Sequence, residues 1–400
     1  MSEAAPEAPV EVDSQTAAAA VNVNPWEAGE VVDYDQLVEH WGACKITPEL
    51  LQRLEKAIGE PAHPWLRRGL FYAHQGLEEI LDLYEKGQPF YLYTDRGPSS
   101  DSLHVGHLVP FRFTQWLQRV FNAPLVIQLT DDEKFLWKPY LTLAEASRLG
   151  FENTKDIIAC GFDLEKTFIF RDTDYIKYLY PTALKFSRCV TYNKAVHCFG
   201  FSPSDNVGKS SFPAIQAAPS FSTCFPHIFG GREDVPCFIP CAIDQAPYFR
   251  LTREVAPMLK WQKPAMIYSK FFPSLGGAKS KMSASQSAAT IYLTDSPAEV
   301  SQKVKTHAVS GGQESLELHR KLGGSCEADV SFQYLTFFEN DDAKVEHARA
   351  EFTAGRMTSM DMKQALIDVL VPMILEFQRS RAAVTDELVE AFLTIRKIDP

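Results

Sequence analysis

Four hundred residues, 45% of them hydrophobic and 12% aromatic, exceed what one core ordinarily serves, so two domains and a tail are expected. No uninterrupted apolar run approaches the roughly 18 residues that span a bilayer, so a soluble chain with no membrane partner is expected. A net charge of −11 argues against indiscriminate nucleic-acid binding and against DNA, yet leaves room for one polyanion held at a local basic patch.

Taken in order, residues 1–23 are mostly Ala, Glu, Pro and Val, too small to bury a core, and read as a disordered acidic tail. No Lys or Arg precedes Lys45, whereas Glu3, Glu7, Glu11 and Asp13 do. That pattern opposes a secretory leader and an Arg-rich transit peptide, which makes the cytoplasm the default. Residues 24–88 form an N-terminal extension in which Thr47 and Pro48 cap a helix, with a second helix over 77–86. The eight cysteines are scattered, with Cys237 and Cys241 the close pair and no CxxC. Buried free thiols are expected, and no metal site.

Residues 89–295 alternate apolar runs with amphipathic ones. Strands are predicted over 90–94, 125–130, 167–170, 238–243 and 266–271, with helices over 107–121 and 143–160. Such alternation is the mark of an α/β fold with a Rossmann-like parallel sheet, whose ligands lie beyond the carboxyl ends of the strands. Residues 91–111 parse as strand, Gly/Pro/Ser-rich loop and helix, an arrangement that offers unpaired N–H groups to phosphate. His104 and His107 flank Gly106 at that entry, and Pro110 is assigned to the first helical turn. From residue 296 the character becomes all-α: Ser296, Pro297 and Glu299 make a capping box. Met362, Leu366, Val369, Leu370, Met373, Ile374 and Phe377 keep helical spacing across an expected kink at Pro372.

The HVGH of 104–107, followed much later by KMSAS at 281–285, resembles the paired signatures of class I aminoacyl-tRNA synthetases. YT-x-RGPSS before HVGH, TDDEK at 130–134 and CAIDQ at 241–245 narrow the resemblance to the cytosolic tryptophanyl branch, over nearly the whole chain from Asn24. The resemblance implies an extension folded over an ATP site, an anticodon-binding helical domain at 296–400, and a homodimer. It implies ATP and L-tryptophan as substrates, tRNA(Trp) as partner, and Mg²⁺ bridging the nucleotide phosphates.

In-line attack of a carboxylate on the α-phosphorus needs no side-chain base, only alignment and neutralisation of phosphate charge. The resemblance assigns that task to His104, His107, Lys281, Ser283 and Ser285, with Arg96, Gly106, Asp244 and Met282 at the nucleotide. By the same resemblance Tyr93 and Gln128 meet the indole N–H, and Glu133, Gln216 and Gln245 the α-ammonium. Ala284 stands where many class I enzymes carry a second lysine. Two departures stand out: Asp95 where the family has glycine, and Ala246 where it has aspartate. A carboxylate at 95 that points at the substrate carboxylate and phosphates costs activity, so Asp95→Gly is expected to help; one that turns outward or pairs with Arg96 is harmless. A tyrosyl enzyme of the same chemistry, or a catalytically weakened paralogue that binds tRNA or a partner, are the alternative readings.

Overall fold

The computed structural model describes residues 34, 38, 42–281 and 289–398. Strands β1 (Cys44–Lys45), β2 (Phe71–Gln75), β3 (Tyr91–Arg96), β4 (Leu125–Leu129), β5 (Thr167–Arg171), β6 (Cys237–Ala242) and β7 (Ala265–Ser269) form one sheet. Their order is β1-β2-β7-β6-β3-β4-β5. From β7 to β5 all pairs are parallel, whereas β1 and β2 run antiparallel at one edge. A short antiparallel hairpin follows, β8 (Pro273–Ser274) with β9 (Gly277–Lys281). The parallel strands lie where the apolar runs predict them, with ends shifted by no more than two residues. β2 was not foreseen: its residues FYAHQ, in the part read as an extension, pair with β7 and supply an edge of the sheet.

Helices α1 (Pro48–Ile58) and α2 (Leu77–Glu85) precede β3. α3 (Val105–Phe121) joins β3 to β4, α4 (Asp131–Trp137) and α5 (Leu143–Ile158) lead to β5, and α6 (Asp172–Cys189), α7 (Val207–Ala217) and α8 (Ala246–Val255) follow. Both faces of the sheet are apolar, as a doubly covered parallel sheet requires. Leu92, Leu125, Ile127, Phe238 and Ile267 point to the α3 side, while Tyr91, Tyr93, Val126, Ile239 and Met266 point to the side of α6, α7 and α8. Strand order turns where β6 pairs back beside β3, which leaves a crevice at that junction. α3 starts at Val105, so Pro110 lies in the second turn, not the first. There it withdraws the N–H that would bond the Gly106 carbonyl.

α9 (Pro297–His307) opens with the expected capping box: the Ser296 N–H donates to Glu299 at 2.8 Å, and the Glu299 N–H to Ser296 Oγ at 3.3 Å. α10 (Val330–Phe338) and α11 (Ser359–Ala382) follow, α11 continuous across Pro372. These helices share a core with the α3 face of the sheet. Phe272, just after β7, packs on Tyr334 and Phe337 with ring centroids 4.4 and 5.0 Å apart, and Trp65 donates to the Phe337 carbonyl at 2.6 Å.

A buried carboxylate ties the helical region to the start of α3. Asp156 of α5, wholly buried, accepts the Leu103 N–H at 3.0 Å and the Arg381 Nε–H of α11; Arg381 also donates to Glu152 at 2.9 Å. Removing one partner of such a pair strands the other charge. Arg381→Met is therefore expected to lower the unfolding free energy by about 3 kcal/mol, read as a fall in the urea midpoint.

Candidate active site

The junction of β3 and β6 opens into a cleft of about 270 Å³. Its walls come from the ends of β3, β6 and β7, the start of α3, and α4, α7 and α8. Arg96, His104, Gly106, His107, Glu133, Gln216, Asp244 and Gln245 all line it. These residues from five separated stretches thus meet because each follows the carboxyl end of a strand or faces one.

At the α3 end, His104 is the N-cap residue, and the His104 and His107 rings stack with centroids 3.4 Å apart. The His104 N–H donates to His107 Nδ1 at 3.2 Å, and His107 Nε2 lies 2.9 Å from Arg96 Nη1. A neutral imidazole has one acceptor nitrogen and a guanidinium only donates, so these two contacts compete. An anion at the helix start improves matters by taking the guanidinium N–H. Burial pulls the Arg96 pKa down to about 10, which leaves it charged at neutral pH. A Cβ at Gly106 would sit 2.9 Å from Phe272 Cδ1. Only glycine leaves the backbone of the first turn open to a flat ligand there.

Tyr93 and Gln128 do not reach the cleft wall; they lie beneath it, wholly buried. The Tyr93 hydroxyl has two acceptors, Gln128 Oε1 at 2.5 Å and the Gln216 carbonyl at 3.0 Å, and itself accepts from Gln216 Nε2 at 3.0 Å. Gln128 Nε2 donates to Asp172 at 2.7 Å. One hydroxyl proton thus serves two acceptors, and this buried floor is short of one donor. Burial, reinforced by Asp132, holds Asp172 well above the usual carboxylate range, and burial pushes Asp132 up to about 6.

Along the other wall, Glu133 accepts from Thr130 Oγ1 at 2.9 Å and pairs with Lys134 at 2.6 Å. Asp95 lines the cleft beside them. Lys281 ends β9, opposite Pro273 in register; Met282, Ser283, Ala284 and Ser285 lie outside the described residues. Tyr34 accepts the Phe271 N–H at 3.1 Å and lies beside Lys270, so the N-terminal extension touches the β7 wall of the cleft. Reading the sequence missed Phe272, Lys270, Tyr248 and the supporting carboxyls Asp132 and Asp172. For Asp172 a signal existed: it follows β5 as TDDEK follows β4. Of the eight cysteines, Cys224, Cys237, Cys241 and Cys326 are buried, and all eight are free thiols.

Residues 85–374 match the family described as class I tRNA synthetases (W and Y). The cytoplasmic tryptophan–tRNA ligase of Homo sapiens is 54% identical over 94% of this chain and 81% of its own length. That of Arabidopsis thaliana is 50% identical over 94% of both. The crystal structure of Plasmodium falciparum tryptophanyl-tRNA synthetase superposes with a TM-score of 0.85 at 41% identity, covering 91% of this chain and 95% of the other.

Because the approach at Gly106 is so close, Gly106→Ala is expected to abolish most of the thermal stabilisation that ATP gives the protein. The wild-type protein should show a rise in Tm that grows with ATP concentration, and the variant little or none.

Proposed function

The chain belongs to the class I tRNA synthetases of the tryptophan and tyrosine group, and we propose that its reaction is the ligation of tryptophan to tRNA(Trp). The tryptophan carboxylate attacks the α-phosphorus of ATP, pyrophosphate leaves, and the 3′-terminal ribose hydroxyl of the tRNA then displaces AMP from the adenylate. The nucleophile is already an anion, so the chain's contribution is alignment and electrostatic stabilisation. Arg96 and the His104–His107 turn face the phosphates, the open backbone at Gly106 faces adenine, and Asp244 holds a ribose hydroxyl. Lys281, Met282, Ser283 and Ser285 complete the phosphate site in this reading.

The observation that carries the choice of amino acid is the proton-short floor. An indole is a flat apolar body with one N–H donor and no acceptor. It supplies the missing proton when its N–H takes the place of the Tyr93–Gln128 bond. Glu133, Gln216 and Gln245 are the proposed ammonium ligands.

Mg²⁺ is proposed to ride on the nucleotide. Among the described residues no three His, Cys, Asp or Glu side chains gather as a metal site, while Arg96, Lys134 and Lys270 line the cleft; that suits a metal held by phosphates and water. It would add positive charge where pyrophosphate departs. Residues 296–400 are proposed to bind the anticodon region, with Arg320 and Lys321 exposed on Leu316–Leu322 as phosphate contacts. No helix among the described residues is long and apolar enough to cross a membrane, and the cytoplasm is the proposed compartment, as in the names of the human and plant relatives.

A homodimer is proposed across α6. Ile176, Tyr180 and Leu184 recur every four residues on one face of that helix and are 37%, 54% and 52% exposed. Sedimentation should show a dimer that Leu184→Asp converts to monomer. In ATP–pyrophosphate exchange, tryptophan should support turnover on the order of 10³-fold better than tyrosine, and no amino acid none. Equal support by tyrosine would defeat the tryptophan assignment.

A further inference from the structure

Tyr91, Tyr93 and Asp95 are alternate residues of β3, so all three project from one face of the sheet. The two tyrosines are wholly buried, whereas Asp95, nearer the carboxyl end of the strand, is half-buried and lines the cleft. Gln216 joins the floor to the cleft: its Nε2 donates to the Tyr93 hydroxyl at 3.0 Å, and it lines the cleft together with Asp95. With Nε2 held by Tyr93, the side-chain oxygen of Gln216 is the atom it can offer a ligand, and that atom accepts. Asp95, on the same wall, is a second acceptor.

The charges facing Asp95 are those of Glu133 and Lys134 from α4, Asp244 from the turn after β6, and Arg96 from its own strand. Tyr93, Cys241 and Tyr248 are its other titratable neighbours. Lys134 is already paired with Glu133 at 2.6 Å, so it is shared between carboxylates. Burial, then the neighbouring Glu133, pushes Asp95 up to about 6, against the pull of Lys134. A second cation brought by a ligand is what this wall favours. An amino acid carries one cation, its α-ammonium.

We propose that Asp95 is an additional α-ammonium acceptor in the amino-acid site, acting beside Glu133 and the Gln216 side-chain oxygen, and that it makes affinity depend on a free ammonium group. The inference rests on the tryptophan reading above. It reverses the sign expected from sequence, because the charges that bear most on Asp95 are those of Glu133, Lys134 and Asp244.

Calorimetric binding tests it, using tryptophan and indole-3-propionate, which keeps the ring and carboxylate but lacks the ammonium. Wild type and Asp95→Asn are compared from about pH 5 to about pH 8. At the upper end the substitution should weaken tryptophan by roughly tenfold and leave indole-3-propionate unchanged or slightly tighter. In the wild type, tryptophan affinity should rise with pH through about 6, because ammonium binding favours the ionised carboxyl, and this increment should vanish in the variant. Asp132 also titrates near 6; it is present in both proteins, so the difference between them removes it. Equal weakening of both ligands would assign Asp95 a merely structural role, and no change or tighter tryptophan binding would make it a bystander or an obstacle. Each of these overturns the proposal. If the wild type binds tryptophan without supporting exchange, the ligase reading fails while the ammonium test still decides; if it binds no tryptophan, both fall.

Discussion

A single hydroxyl proton divided between two buried acceptors is the constraint around which this molecule is arranged. Tyr93 can donate to Gln128 or to the Gln216 carbonyl, not to both. Leaving a buried acceptor without a donor costs about 1–3 kcal/mol, a cost that persists only because the surrounding elements hold the geometry. β3 and β4 align residue by residue, Tyr93 with Val126 and Asp95 with Gln128, which puts Tyr93, Asp95 and Gln128 on one face. Asp172, at the start of α6, anchors the far side of the Gln128 amide. The floor is thus a property of strand register and of one helix start, and a donor-only heterocycle answers it.

The nucleotide end depends on a different contact, the approach of Phe272 to Gly106. Phe272 belongs to the core shared with α10, and Leu103, two residues before α3, is held by Asp156 and through it by Arg381 of α11. The helices that would grip a tRNA therefore also position the backbone that would grip ATP. Packed interfaces of this kind shift between discrete arrangements rather than deform smoothly, which gives the helical region a physical route to the cleft.

The strands of the parallel sheet were legible because both faces are buried, so each reads as an apolar run bounded by turn residues. β2 was not, since its FYAHQ pairs at an edge and carries a mixed pattern. Pro110 was misplaced by one turn because sequence spacing does not reveal which residue caps α3; the stacked histidine pair decides that. The strand–loop–helix at 91–111 could be read from its own residues as offering N–H groups to an anion, while HVGH by itself is a weak signal until KMSAS answers it. Tyr93, Gln128 and Gln216 could be picked out only by resemblance: buried side chains that bond one another leave no periodicity. Asp172 was marked only by its place just after β5, and Arg381 acts through Asp156 at long sequence separation, with nothing local to mark it. Asp95 was conspicuous as a departure, yet the direction it faces, and so the sign of its effect, required the neighbours that folding brings to it.

The claim that the floor reads the indole N–H is tested most directly by equilibrium binding of tryptophan against its benzothienyl analogue, in which sulfur replaces the N–H in a ring of nearly the same shape. The account predicts that the analogue binds at least about tenfold more weakly, and that Gln128→Met narrows the gap. Equal affinities in the wild-type protein would contradict it.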